Sequence, residues 1–234
     1  MMADETPPTS KGVGLLNEKP LHAALKAWYA QPGDRFEVPV DGSMIDIVRD
    51  ELLVEIQTRD FSALKRKLER LVANHPVRLV YPIADEKWIV RVSEDGADPE
   101  GRRRSPKRGS MLALFRELVS FPHLISHPNF SLEVLLIQEE EVRQQGLARN
   151  WRRRGWGTVE RRLVQVVERR LFATPADLAA LIPASLEEPF TTAGLADAIH
   201  QPRWLAQKMT YCLRSAGAIA EAGKQGKATR YVRA

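Results

Sequence analysis

The spacing of apolar residues changes repeatedly within the first hundred residues, and this limits the fold more than any other feature. A first helix is predicted at 15–30, where Leu21, Leu25 and Trp28 recur at helical spacing. Shorter runs with the alternation of strands follow, interrupted by one amphipathic helix. The predicted elements are strands at 36–40, 44–49 and 52–58, a helix at 61–74, and strands at 77–81 and 88–92. This order predicts an α/β fold with a mixed sheet and flanking helices.

The remaining chain divides into a continuation of this domain and a C-terminal module. We predict a basic loop at 95–110, a helix at 111–120 and a strand at 131–138, with Glu139 to Glu141 as its solvated end. The C-terminal elements are helices at 159–171, 175–181, 193–200 and 203–216, followed by a hairpin of 218–221 with 230–233. The predicted organisation is a disordered leader at 1–12, a domain at 13–148, a basic linker at 149–157 and a module at 158–234.

Composition excludes several classes of protein. The chain has 234 residues with 44% hydrophobic residues, which is normal for a globular protein and argues against wholesale disorder. Its single cysteine excludes an intramolecular disulfide and a cysteine-rich zinc module. No apolar run reaches the length of a membrane span, and the polar N-terminus lacks the apolar core of a signal peptide. We therefore expect a soluble, cytoplasmic protein without a membrane partner.

The net charge of +5 is unevenly distributed. Residues 1–101 carry an excess of five acidic side chains, whereas residues 102–234 carry an excess of ten basic ones. A basic region joined to an acidic region suggests a polyanion-binding module beside a site that contains carboxylates.

Two carboxylates stand out on the predicted hairpin at 44–58. If Asp50 and Glu51 form a two-residue turn, Asp46 lies directly opposite Glu55. Like charges so placed are destabilising, and a divalent cation would offset the repulsion, with Mg²⁺ suited to hard oxygen ligands. Glu18 on the first helix can add a third carboxylate. The alternative is a pair of solvent-facing carboxylates that only raise solubility.

These residues resemble the PD-(D/E)xK nuclease superfamily, particularly its Holliday-junction-resolvase-like and restriction-endonuclease-like members. The resemblance covers about 18–92 and rests on a helix with Glu18, then Asp46, then Glu55-Ile56-Gln57, then a helix. It implies that Asp46, Glu55 and the carbonyl of Ile56 bind Mg²⁺ or Mn²⁺. It also implies that Glu18 is an auxiliary ligand in metal-assisted phosphodiester hydrolysis.

The chain departs from the superfamily pattern at the position of its usual lysine, which is Gln57 here. Gln57 can orient a water or a phosphate but brings no positive charge. Some members of the superfamily tolerate glutamine or take a lysine from the following helix, for which Lys65 and Lys67 are candidates. We favour the simpler interpretation that these lysines belong to a solvated helix face.

The C-terminal module resembles a winged helix-turn-helix. Arg203, Gln207 and Lys208 lie on the predicted helix at 203–216, outside its apolar stripe, where they can meet base edges and phosphates. Lys224 and Lys227 lie at a glycine-rich hairpin tip that resembles a wing. Further phosphate contacts are expected from two arginine clusters, Arg102, Arg103 and Arg104 in the basic loop and Arg152, Arg153 and Arg154 in the linker. The alternative is a winged-helix fold used for protein contacts.

The function predicted from the sequence is metal-dependent cleavage of DNA, targeted by the winged-helix module. The alternative is a non-catalytic DNA-binding regulator that retains a nuclease-like fold, and a third class is a protein-interaction adaptor. DNA is the expected partner, and a homodimer stays open because nucleases that cut both strands commonly pair.

Overall fold

The computed structural model describes residues 19–93, 99–145 and 155–234. Its central element is a seven-stranded mixed sheet. The strands are β1 (Arg35–Val40), β2 (Ser43–Arg49), β3 (Leu52–Ile56), β4 (Val77–Val92), β5 (Pro99–Arg104), β6 (Phe130–Gln144) and β7 (Gly157–Phe172). The order is β1-β2-β3-β4-β6-β7, with β5 paired to β4. Strands β1 to β3 are antiparallel, β3, β4 and β6 run parallel, and β7 is antiparallel to β6.

Helices cover both faces of the sheet. Helix α1 (Pro20–Tyr29) begins with a proline, whose fixed φ suits the first turn, and ends before the Gly33 turn. A 3-10 turn at Phe61–Leu64 continues into α2 (Lys65–Leu71), and a second at Met111–Leu114 continues into α3 (Phe115–Leu118). A third 3-10 turn, Pro122–Ser126, precedes β6.

The C-terminal region contains three helices and a small sheet. Its elements are α4 (Pro175–Ala179), β8 (Phe190–Thr191), α5 (Thr192–Ala198), α6 (Arg203–Ser215), β9 (Ile219–Gln225) and β10 (Ala228–Arg233). The three strands are antiparallel in the order β8-β10-β9. Thr174 and Asp177 form a capping box at α4, and Gly217, with φ of 73°, ends α6 as predicted.

Two apolar clusters hold these layers together. The smaller one joins Leu21 and Leu25 of α1 to Val54, Val80 and other residues on one face of the sheet. The larger one covers the opposite face and continues without a break into α6 through Met209. The C-terminal helices therefore share a core with the sheet.

The α/β architecture with a mixed sheet and flanking helices is confirmed, but several predicted elements are wrong. Residues 159–171, predicted as a helix, lie in β7, so the C-terminal helices begin at α4. The strands predicted at 77–81 and 88–92 are one continuous strand, β4, with an irregularity between Ala84 and Glu86. The loop predicted at 95–110 contains β5.

Other predictions concern the leader, the linker and the division of the chain into domains. The leader at 1–12 and most of the basic linker at 149–157 lie outside the described residues. The division of the chain into a domain and a module stays a prediction. Within the described ranges, no helix is long and apolar enough to cross a membrane.

Candidate functional site

The β2–β3 hairpin has the register that a two-residue turn predicts. Arg49 pairs with Leu52 and Ile47 with Val54, so Asp46 and Glu55 come next on the two strands. At that point the ladder between β2 and β3 ends, while β3 continues to pair with β4. The carboxylate pair, Asp46 and Glu55, therefore lies where the two strands separate.

Asp46 is held by main-chain and basic groups. The N–H of Ile56 donates to Asp46 Oδ2 at 2.8 Å, and His22 Nε2 lies 3.2 Å from the same oxygen. Lys26 Nζ lies 3.9 Å from Asp46 Oδ1. Burial opposes ionisation, but the hydrogen bond and charge of His22, together with Ile56 and Lys26, outweigh it and lower the pKa of Asp46. Asp46 is therefore a fixed, ionised carboxylate.

Glu55 is in the opposite electrostatic situation and is more deeply buried than Asp46. The residue is 5% exposed. Burial raises the pKa of Glu55 to about 7, and the charge of Asp46 adds to this increase. Lys67 lowers it only in part. The neighbourhood of Glu55 therefore lacks enough positive charge to keep this carboxylate fully ionised at neutral pH.

Lys67 enters the site from α2. Its ammonium donates to Glu55 Oε1 at 2.5 Å and to the carbonyl of Met44 at 2.6 Å, which fixes the helix against the hairpin. Its side chain is 21% exposed, whereas Lys65 is 49% exposed and forms an i,i+4 pair with Glu69. The solvated-face interpretation is therefore wrong for Lys67 and correct for Lys65.

Of the three other residues predicted for this site, the structure describes two. The side chain of Gln57 donates to the carbonyl of Asp60 at 3.1 Å, at the entrance to the 3-10 turn. Ile56 is buried in the apolar cluster beneath α1. Glu18 lies outside the described residues, just before Lys19, the N-cap of α1.

The donor chemistry of the carboxylate pair suits a hard divalent cation, because carboxylate and carbonyl oxygens are the ligands that Mg²⁺ prefers. The charge of Asp46 contributes to the raised pKa of Glu55, as expected for two carboxylates that lie close together. Within the described ranges, no group of three or more His, Cys, Asp or Glu side chains is placed to hold a metal ion.

The arginines predicted for the basic loop divide into paired and unpaired side chains. Arg102 donates to Glu140 at 2.7 Å and lies over the ring of Trp88, and Arg104 pairs with Glu86. Arg103 is exposed on β5. The second group, Arg152, Arg153 and Arg154, lies outside the described residues.

Helix α6 presents part of its predicted surface to solvent. Arg203 and Gln207 are exposed, and so is Tyr211, at 47%. Lys208 instead donates to the carbonyl of Arg116 in α3 at 3.1 Å. At the β9–β10 hairpin, Lys224 and Lys227 are both exposed.

Sequence reasoning missed a second group of acidic residues, the glutamate cluster of Glu139 and Glu141 on β6. Predicted as a solvated strand end, Glu139 is 0% exposed and Glu141 8% exposed. Lys87 Nζ lies 2.9 Å from Glu139 and 2.8 Å from Glu141, and Arg161 reaches Glu139 at 2.5 Å. Burial opposes ionisation of Glu141, but hydrogen bonds from Lys87, Thr158 and Arg143 outweigh it and lower its pKa to about 2.

Comparison with known proteins places the chain in a family. Residues 19–173 match a family model described as a domain of unknown function, DUF8091. This range covers the whole seven-stranded sheet and its helices up to the end of β7. The chain is a member of the DUF8091 family.

A curated relative matches most of the chain. A protein of Treponema pallidum (strain Nichols), described as uncharacterized, is 32% identical to this DUF8091 protein over 185 residues. The match covers 79% of this chain and 73% of the relative. No solved structure matches the chain significantly.

Proposed function

We propose that this DUF8091 protein is a metal-dependent DNA endonuclease of the PD-(D/E)xK type. The observation that carries the proposal is the convergence of Asp46, Glu55 and Lys67 at one point, where β2 and β3 separate and α2 packs against them. These are the residue types that the superfamily uses. Lys67 supplies from α2 the positive charge that Gln57 does not bring.

The order of elements supports the same assignment. Helix α1, three antiparallel strands, α2 and a strand parallel to β3 follow one another in the chain. This is the α-β-β-β-α-β order on which the resemblance rests. It is also the restriction-endonuclease-like arrangement that we propose for the sheet.

In the proposed site, Asp46, Glu55 and the carbonyl of Ile56 hold Mg²⁺ or Mn²⁺. When bound, the cation polarises the scissile phosphate and lowers the pKa of the attacking water. His22 keeps Asp46 oriented through the 3.2 Å contact between its Nε2 and Asp46 Oδ2. Lys67 orients Glu55, and its ammonium offsets negative charge on the phosphate.

The C-terminal region is proposed to act as a winged helix-turn-helix that targets DNA. The helices α4 to α6 and the β8-β10-β9 sheet follow in the order helix, strand, helix, helix, hairpin. The exposed side chains Arg203 and Gln207 on α6 are proposed to meet the major groove, with Lys224 and Lys227 on a wing against the phosphates. The expected affinity therefore falls steeply with salt.

The proposal is tested by incubating the protein with supercoiled plasmid and with branched DNA in Mg²⁺ or Mn²⁺. Asp46→Asn is expected to reduce cleavage by at least about a hundredfold, because the metal site loses a ligand. Asp41→Asn is the matched control, since Asp41 pairs with His75 outside the carboxylate pair. Equal cleavage by the wild type and Asp46→Asn would contradict the proposal.

A second candidate function is a non-catalytic DNA-binding regulator. It is favoured by Gln57, whose amide is engaged with Asp60, and by the ion pair that already occupies Glu55. Salt-sensitive binding to a duplex site, without a metal requirement and without nicking, would favour this candidate over the nuclease.

A further inference from the structure

A second polar site lies at the opposite end of α1 from the carboxylate pair. A cavity of about 560 Å³ is lined by three arginines, Arg49, Arg78 and Arg169. Trp28 and Glu133 also belong to its lining. We call it the arginine cleft. His22 of α1 contacts Asp46, whereas Tyr29 borders the cleft. At about 1.5 Å rise per residue, the two ends are about 10 Å apart along the helix.

The floor of the arginine cleft is rigid. Arg49 donates to both carboxylate oxygens of Asp34 and to the carbonyl of Tyr29, while its guanidinium lies over the ring of Tyr29. Arg78 lies 3.7 Å from Glu133 and 3.4 Å from the hydroxyl of Tyr29. Glu133 is 6% exposed. These groups are fixed before any ligand arrives.

The rim of the cleft differs from its floor because its side chains are exposed to solvent. Arg169 is exposed, and its guanidinium has no ion pair or hydrogen bond within the described part of the chain. Trp28, one of the apolar residues at helical spacing in the predicted first helix, is 44% exposed, and Leu171 is 43% exposed. An unpaired arginine thus lies beside two apolar side chains that the fold leaves in contact with water.

We propose that the arginine cleft binds a nucleoside monophosphate, either free or as the phosphorylated end of a DNA strand. Three arginines face two carboxylates, Glu133 in the lining and Asp34 on Arg49, so one positive charge is left in excess, and guanidinium groups bind phosphate through paired hydrogen bonds. The exposed face of Trp28 offers a flat surface on which a base stacks. The volume lies within the range of small-molecule sites.

This inference does not depend on the proposed cleavage activity. Binding is measured by calorimetry on the full chain without divalent metal, using a deoxynucleoside monophosphate and the matching nucleoside. The monophosphate is expected to bind at least about tenfold more tightly, because only it engages the arginines. A 5′-phosphorylated and a 5′-hydroxyl oligonucleotide then distinguish a strand end from a free nucleotide as the source of the ligand.

Variants separate the cleft from general surface charge. Arg169→Gln is expected to weaken monophosphate binding about tenfold, whereas Arg170→Gln, which removes the same charge beside Phe172 and outside the cleft, leaves it unchanged. Trp28→Ala is expected to weaken monophosphate binding but not that of inorganic phosphate. Asp46→Asn is expected to bind the monophosphate normally even if cleavage is lost. Equal binding of monophosphate and nucleoside, or equal losses in Arg169→Gln and Arg170→Gln, would overturn the proposal.

Discussion

Two glutamates buried in the same sheet, Glu141 of the glutamate cluster and Glu55 of the carboxylate pair, have pKa values shifted in opposite directions. In the glutamate cluster, Lys87 bridges both carboxylates, and its hydrogen bond, with those of Thr158 and Arg143, outweighs burial and lowers the pKa of Glu141 to about 2. In the carboxylate pair, one lysine contacts Glu55, and burial with the charge of Asp46 raises its pKa to about 7. The groups around Glu141 therefore keep that carboxylate ionised, whereas the groups around Glu55 do so only in part at neutral pH.

The comparison separates structural carboxylates from functional ones. A carboxylate that the fold pairs with its own cations is costly to remove, because the cations lose their partner, and it leaves little affinity for an external ion. A carboxylate with a raised pKa is held in an unfavourable state until further positive charge arrives. Glu55 meets the second condition and Glu141 meets the first, while Asp46 has a lowered pKa and is the ionised member of its pair.

The largest effect on stability is expected at the glutamate cluster. Glu139→Ala leaves Arg161 without its partner and Lys87 with Glu141 alone, and it is expected to lower the free energy of unfolding by about 3 kcal/mol. Glu160→Ala, which breaks the more exposed pair with Arg162, is expected to cost about 0.5 kcal/mol. Urea denaturation measures both. Equal losses would show that the cluster is no more structural than a surface ion pair.

Removal of the Glu55 charge is expected to raise the free energy of unfolding, whereas Glu139→Ala lowers it. Its folded-state pKa is about 7 against an ordinary value of 4.5, so the stability associated with protonated Glu55 is full below about pH 4.5 and is lost as the pH rises through 7. Glu55→Gln is therefore expected to be about 1–2 kcal/mol more stable than the wild type at pH 8 without metal, and no more stable at pH 5. A gain that is the same at both pH values would contradict this account.

A variant of Lys67 measures how far this lysine lowers the pKa of Glu55. Lys67→Met is expected to raise the pKa of Glu55 further, by about one unit, because the nearest cation is lost. Titration of the side-chain carboxyl carbons by NMR measures this change. Lys65→Met removes an equal charge from the exposed side of α2 and is expected to leave the Glu55 titration where it was.

The smallest effect is expected from the hairpin lysines, which touch neither group of carboxylates. Lys224→Gln combined with Lys227→Gln is expected to reduce the salt dependence of DNA binding by about one unit of slope per lysine. The cleavage rate at saturating DNA is expected to stay unchanged. An unaltered salt dependence would remove the hairpin from the DNA-binding surface.

The hairpin of β2 and β3 could be predicted because its signals are local. The turn at Asp50 and Glu51 fixes the register, and alternation then places Asp46 and Glu55 at neighbouring positions. The contact of Lys67 with Glu55 depends on how α2 packs, which the sequence pattern does not specify. The sequence does carry one signal for this contact, since Lys67 lies on the helix that directly follows the strand with Glu55.

Strand β7 could not be predicted because its pattern imitates a helix. Val159, Leu163, Val167 and Leu171 recur every fourth residue among helix-favouring glutamates and arginines. The pairing of β6 with β7 is irregular at three points. The side chains of β7 therefore do not alternate strictly between the two faces of the sheet. The ion pairs of the glutamate cluster were missed for a related reason, since Arg161 had been assigned to that predicted helix.

The most direct test of the central claim is calorimetric titration of the metal-free protein with Mn²⁺ at pH 7.5. The wild type is expected to bind one ion, and Asp46→Asn and Glu55→Gln are expected to lose that binding. Glu141→Gln, which removes a carboxylate from the glutamate cluster, is expected to bind as the wild type does. Mn²⁺ binding that survives in both Asp46→Asn and Glu55→Gln, or that is absent from the wild type, would contradict the account.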